Sequence, residues 1–215
     1  MAEISQPIGL LSGVKNIVFD LGGVIVTLDH DKALRRFREA GVDDVAEYLN
    51  PYHQNGIFLD LEAGNCTKEE FYVALRKLTG KPIQDEAIDA GWLGFLKEVP
   101  IYKLKMLEDL HAQGYHLYLL SNTNPVVMEW ALTPAFSSEG KPLDAYFDKL
   151  YLSFQMKCVK PDDEIFLKMI DDSNMIPSET LFIDDGVNNI ATANRMGFKT
   201  YQATNGEDFR HLLVL

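Results

Sequence analysis

The sequence predicts an α/β protein built on a parallel sheet, and three observations carry that expectation. Continuous apolar runs at residues 17–19, 115–120 and 180–183 have the make-up of strands buried on both faces. Each run stops at a polar cluster: Asp20 with Gly22 and Gly23, Ser121-Asn122-Thr123-Asn124, and Asp184-Asp185-Gly186. The segments that follow place apolar residues at helical spacing, so strand and helix alternate.

Taken in order, residues 1–14 are a lead-in and the first strand covers 15–21. The period then changes. Residues 30–40 set Ala33, Leu34 and Phe37 on one helical face. Thr67-Lys68-Glu69-Glu70 is a capping box, opening a helix that aligns Phe71, Ala74, Leu75 and Leu78 and closes at Gly80 and Pro82. Residues 42–49 and 56–62 read as short helices, and 84–96 as a longer one. No strand is expected from 30 to 98, so this stretch reads as a helical insertion.

From Pro100 the alternation begins. A helix carrying Leu104, Leu107 and Leu110 ends at Gly114, and the strand 115–120 follows. Residues 148–153 form a weaker strand. Lys160-Pro161 leads into a helix with Ile165, Phe166, Met169 and Ile170 on one face, with proline near the first turn where its missing N–H does no harm. The strand 180–183, a helix over 189–196 closed by Gly197, a strand over 198–203 and a terminal helix over 207–213 complete the chain.

Composition narrows the function. At 215 residues the chain suits one domain, or a core carrying a smaller insertion, and 47% hydrophobic content allows a full core. The formal charge of −12 argues against a nucleic-acid partner, because phosphate contacts need clustered Lys and Arg. Cys66 and Cys158 stand far apart without zinc-spaced neighbours, so a disulfide framework and a zinc site are both unexpected. With no basic leader and no membrane-length apolar run, no membrane partner is expected, and the expected compartment is the cytoplasm. The sequence carries no signal for oligomeric state.

A parallel sheet gathers its strand ends on one edge, so Asp20, Ser121 with Asn122, Lys160, and Asp184 with Asp185 converge on one site. Three carboxylates at one point cannot all stay ionised without a counter-charge. Hard oxygen ligands of this kind suit Mg²⁺, which binds through one or two carboxylates plus phosphate oxygens. Lys160 supplies a second positive charge, and the Ser121 hydroxyl and Asn122 amide supply donors. The site is built for a phosphate dianion in contact with a metal.

These residues resemble the four motifs of the haloacid dehalogenase superfamily: Asp20-Leu21-Gly22-Gly23-Val24, Leu120-Ser121-Asn122-Thr123, Lys160-Pro161, and Asp184-Asp185 with Asn189. Order and spacing agree with that family. The nearest subgroup is the glucose-1-phosphatase type of sugar-phosphate phosphatases. The resemblance implies a Rossmann-like parallel-sheet core, residues 1–29 and 99–215, with a helical (C1-type) cap over 30–98. It implies Mg²⁺-dependent hydrolysis of a small phosphorylated metabolite through an aspartyl-phosphate on Asp20. Mg²⁺ would be held by Asp20, Asp185 and the Gly22 carbonyl, with Asp184 and Asn189 around it. Ser121, Asn122 and Lys160 would hold the phosphoryl group, and Lys160 would also neutralise the nucleophile.

One position departs from the family pattern. Most of its phosphatases carry a second Asp two residues after the nucleophile, as general acid and then general base; here that residue is Gly22. Its absence leaves two readings. In the first, the substrate has a good leaving group or the proton comes from elsewhere, with Asp29, His30 and His53 as candidates. In the second, the protein binds metal and phosphate with little turnover, as a regulatory module. A metal-free dehalogenase also lacks that Asp, but it has no need of the Asp184-Asp185 pair. A receiver domain would place its acidic pair before the phosphorylated Asp, not last. The aromatics Phe71, Tyr72, Trp92 and Phe95 read as packing rather than as a substrate platform.

Overall fold

A computed structural model describes residues 10–49 and 54–213. Five parallel strands form one sheet in the order β5-β4-β1-β6-β7: β1 Asn16–Phe19, β4 His116–Ser121, β5 Lys149–Leu152, β6 Thr180–Asp184 and β7 Lys199–Gln202. β1 lies in the middle, with Phe19 level with Leu119 on one side and Ile183 on the other. Its four residues are buried, as an apolar run between two neighbours requires. Alternation along β1 divides the core. Ile17 and Phe19 join the cluster under α5 (Ile101–Ala112), whereas Val18 joins Phe182 and Leu120 under α8 (Asp163–Ser173).

The chain runs from β1 to β4 and β5 on one side, then crosses to β6 and β7 on the other. That reversal opens a crevice beyond the end of β1, the usual ligand position of such sheets. Helix α6 (Pro125–Ala131) follows β4, the one-turn helix α7 (Ser153–Met156) follows β5, and α9 (Val187–Arg195) joins β6 to β7. Asn124 caps α6 by accepting from the Val127 N–H, with Pro125 in the first turn.

Between β1 and α5 lie α1 (His30–Ala40), α2 (Gly56–Glu62), α3 (Lys68–Thr79) and α4 (Asp85–Trp92). They enclose a separate aromatic core of Phe37, Phe58, Phe71 and Trp92, which meet mostly edge to face and at a tilt. Thr67 and Glu70 form the expected capping box of α3. Val126, on α6, packs into this core and ties the helical segment to the sheet domain.

Three local expectations are corrected. The 30–98 stretch does contain a strand: β3 (Leu96–Glu98) pairs antiparallel with β2 (Thr27–Leu28), closing the two ends of the helical segment together. Residues 42–49 hold only a 3₁₀ turn over Val45–Glu47. The chain end forms a 3₁₀ turn over Arg210–Leu212 in place of a helix, because Asp208 binds the Arg210 main chain and guanidinium locally. Cys66 and Cys158 are free thiols. Among the described residues, no helix is long and apolar enough to cross a membrane.

Candidate active site

Asp20 is the first residue past β1, and its N–H donates to the Ile183 carbonyl at 2.9 Å, so the sheet fixes its backbone. Asp184 closes β6 and is fully buried. Its Oδ1 accepts from the Gly186 N–H at 2.7 Å and from Asn189 Nδ2 at 2.8 Å, and its Oδ2 from Lys160 Nζ at 2.6 Å. Lys160 is 3% exposed and also donates to the Leu120 carbonyl at 2.8 Å. Its ammonium lies 2.9 Å from Asp20 Oδ1, yet at an angle that leaves this buried oxygen without a directed hydrogen bond. Asp185 completes the group: one oxygen from each of Asp20, Asp184 and Asp185 falls within 4.8 Å of the others.

Three carboxylates against one ammonium leave a negative excess in a desolvated place. Burial first, and then the charge of Asp184, push Asp20 up to about 6 against the pull of Lys160. Burial, Asp20 and Asp184 push Asp185 up to about 7. Burial works against the Lys160 charge, but Asp184 and Asp20 outweigh it and hold its pKa above the ordinary value. A divalent cation would relieve this excess, and the three carboxylates each offer it an oxygen within 4.8 Å of the others, so the residues present fit Mg²⁺. Gly23 makes the room. Its φ of 75° is open to glycine, and a Cβ there would overlap the Asp185 carboxylate.

Family comparison agrees with this geometry. The family of haloacid dehalogenase-like hydrolases matches residues 14–197. The D-ribitol-5-phosphate phosphatase of Bacteroides thetaiotaomicron is 52% identical over 202 residues, covering 94% of this chain and 98% of that protein. The chain belongs to the haloacid dehalogenase-like hydrolases. A hydrolase of this family from Porphyromonas gingivalis superposes with a TM-score of 0.89 at 46% identity, covering 93% of this chain and 96% of that one. A family enzyme from B. thetaiotaomicron, crystallised with magnesium and inorganic phosphate, superposes with a TM-score of 0.89 at 39% identity, over 94% and 100% of the chains.

Within this hydrolase the predicted residues gather at the sheet edge. Asn122 lines the cavity while its amide is engaged: Nδ2 donates to the Lys160 carbonyl at 2.9 Å and Oδ1 accepts from the Lys160 N–H at 2.8 Å. Its side chain therefore positions Lys160. Ser121 keeps its hydroxyl nearly free, with only a 3.4 Å contact to the Asn122 carbonyl, and lines the cavity. Leu28 fills the space a side chain on Gly22 would enter, 3.0 Å from a Cβ built there.

The cavity above these residues has a volume of about 670 Å³ and is walled on its far side by the helical segment. Trp92 and Phe95, expected as packing only, both line it as well. Of the proposed proton donors, Asp29 is engaged outside the cavity, whereas His30 lines it. Asp29 caps α1 by accepting from the Lys32 N–H at 2.8 Å, and His30 Nε2 lies 3.3 Å from the Leu49 carbonyl with its ring edge-on to Phe95. His53 lies outside the described residues. A residue the sequence reading missed, Glu62, is 8% exposed and lines the cavity with Asp20. Its only sequence signal is a carboxylate at the position that shares a helical face with Phe58 and Leu61.

Proposed function

We propose that the protein is a Mg²⁺-dependent phosphatase for a small phosphorylated sugar or sugar alcohol, with Asp20 as nucleophile and residues 30–98 serving as a cap. The observation that carries this reading is the Asp20 oxygen, buried and without a directed hydrogen bond beside Lys160, in a group of carboxylates with room for one cation. The 52% identity to a D-ribitol-5-phosphate phosphatase supports a five-carbon sugar-alcohol phosphate as first choice of substrate.

The residues then divide the work. Asp20 attacks phosphorus, the P–O bond to the alcohol breaks, and an aspartyl-phosphate forms that water hydrolyses. Lys160, locked between Asp184, Leu120 and the Asn122 amide, holds positive charge at the nucleophile and at the phosphoryl oxygens it approaches. Ser121 offers its hydroxyl to the same oxygens. Asp20, Asp185 and the Gly22 carbonyl would hold Mg²⁺, with Asp184 and Asn189 fixing its surroundings. Bound there, the cation supplies charge neutralisation to carboxylates and phosphate alike. Positioning of this kind carries most of a phosphoryl transfer.

The test is phosphate release from ribitol 5-phosphate, sugar 1- and 6-phosphates and an aryl phosphate, with Mg²⁺ or chelator. Wild-type protein is expected to turn over with Mg²⁺ only, and Asp20→Asn to lose at least about 10⁴-fold, the scale of nucleophile removal. Turnover that survives in Asp20→Asn, or that chelator leaves untouched, would sink the reading.

A further inference from the structure

The reaction above needs a proton for the departing alkoxide, and position 22 cannot supply one. The opposite wall of the cavity holds a carboxyl group suited to the task. Glu62 ends α2, where helical spacing puts it on the face of Phe58 and Leu61, both fully buried in the aromatic core. Its main chain is clamped to the sheet domain: the Glu62 carbonyl accepts from Ser153 Oγ at 2.6 Å, and the Gly64 carbonyl from Lys157 Nζ. Gly64, with φ of 65°, sits so tightly on Phe154 that a Cβ would overlap its carbonyl. α7 thus holds the end of α2 in place at the mouth of the site.

The Glu62 side chain is more than nine-tenths buried, and among the described residues its carboxyl has no hydrogen-bond or ion-pair partner. The carboxyl lines the cavity and is open to a ligand there. Burial first, and then the Asp20 charge, push it up to about 8, so it holds its proton at neutral pH. A neutral acid that lines the same cavity as the nucleophile is what the leaving oxygen requires.

We propose that Glu62 is the general acid and base of this hydrolase, reaching the reacting group from the cap in place of the acid missing at Gly22. The role rests on the phosphatase reading. In the first half-reaction an Asp20 oxygen bonds to phosphorus as the bond to the bridging oxygen breaks, and that oxygen takes the Glu62 proton. In the second, the Glu62 carboxylate takes a proton from water as the water oxygen bonds to phosphorus. The Asp20–phosphorus bond breaks, phosphate leaves, and Glu62 is again protonated.

The experiment compares wild type, Glu62→Gln and Asp20→Asn with Mg²⁺ on two substrates, ribitol 5-phosphate and p-nitrophenyl phosphate, whose leaving group needs no proton. Glu62→Gln is expected to lose about 10²- to 10⁴-fold on ribitol 5-phosphate, while its first burst of p-nitrophenolate stays within about tenfold of wild type. The phosphorylated protein then accumulates, seen as one added phosphoryl group by mass spectrometry, because its hydrolysis lacks the base. In Glu62→Ala, formate is expected to restore part of the lost turnover, a readout that a purely structural role would not move. Wild-type turnover of ribitol 5-phosphate by folded Glu62→Gln, or equal losses on both substrates with no phosphorylated protein, overturns the role. If wild type releases phosphate from neither compound, the phosphatase reading falls and this role with it. An active wild type, an inactive Asp20→Asn and an unaffected Glu62→Gln would remove Glu62 alone.

Discussion

The two walls of the cavity differ in how their polar groups are satisfied. On the sheet side Asp184 accepts three hydrogen bonds, Asn122 spends both ends of its amide on the Lys160 backbone, and Lys160 is held by a carbonyl and two carboxylates. On the helical side, among the described residues, the Gln54 Oε1 and Trp92 Nε1 atoms are buried without partners and the Glu62 carboxyl lines the cavity. Apart from the Asp20 Oδ1 oxygen and the Ser121 hydroxyl, these groups of the first wall are paired, which under the proposed function suits it to a phosphoryl group whatever carries it. The second holds unmet hydrogen-bonding capacity. A site with buried polar groups rejects substrates that leave them unpaired, so under the proposed function discrimination falls to the helical wall, which also carries the Glu62 proton, and phosphoryl transfer to the sheet.

The largest break in this contrast comes from the sheet wall. Lys160→Met removes the cation that Asp20 and Asp184 share and leaves both carboxylates buried, which costs about 3–5 kcal/mol of stability. Turnover is expected to fall by about 10²- to 10³-fold on every substrate alike. Denaturant unfolding and a substrate panel check both, and a substrate-selective loss would contradict the division of labour. Gly23→Ala acts next. Its Cβ would overlap the Asp185 carboxylate, so Mg²⁺ affinity is expected to fall about 10- to 100-fold by calorimetric titration. Unchanged affinity would take Asp185 out of the metal site.

The same contrast governs what was legible in the sequence. The sheet wall was readable because β1, β4 and β6 are apolar on both faces and end abruptly in Asp20, Ser121 and Asp184. The helical wall was not. β3 is three residues long with Lys97 and Glu98 exposed, and only its pairing with Thr27 and Leu28 makes it a strand. Asn122 carries the same residue type whether it binds phosphate or braces Lys160; the choice depends on a partner 38 residues away. Glu62 looks like an ordinary helix-end charge until α7, from a distant part of the chain, closes over it.

Stability against pH gives a subtler test. Asp20, Asp185 and Glu62 all have folded-state pKa values raised above the ordinary carboxylate range, to about 6, 7 and 8. The folded protein therefore holds these protons more tightly than the unfolded chain. Their contribution is complete below about pH 4 and is lost as pH rises through about 6 to 8. With chelator present, the melting temperature is expected to fall by several degrees from about pH 5 to about pH 8. Mg²⁺ should restore it at the upper end by taking the place of protons on the sheet wall, whereas Glu62→Gln should lower the slope across the whole range and abolish its last part. A melting temperature that rises over this range in chelator would reverse the sign and refute the electrostatic account.

The smallest effect sharpens the contrast most. Trp92→Phe keeps the ring among Phe37, Phe58 and Phe71 but deletes the unpartnered indole N–H in the helical wall. One hydrogen bond of this kind is worth about 1 kcal/mol, or about fivefold in affinity. The KM for ribitol 5-phosphate is expected to rise by about that factor, with kcat and the hydrolysis of p-nitrophenyl phosphate unchanged. The aryl ester has no hydroxyl groups to offer, so an equal effect on both substrates would mean that Trp92 shapes the cavity and reads nothing. A loss confined to kcat would place the indole on the side of the chemistry, beside Glu62, rather than among the groups that read the substrate.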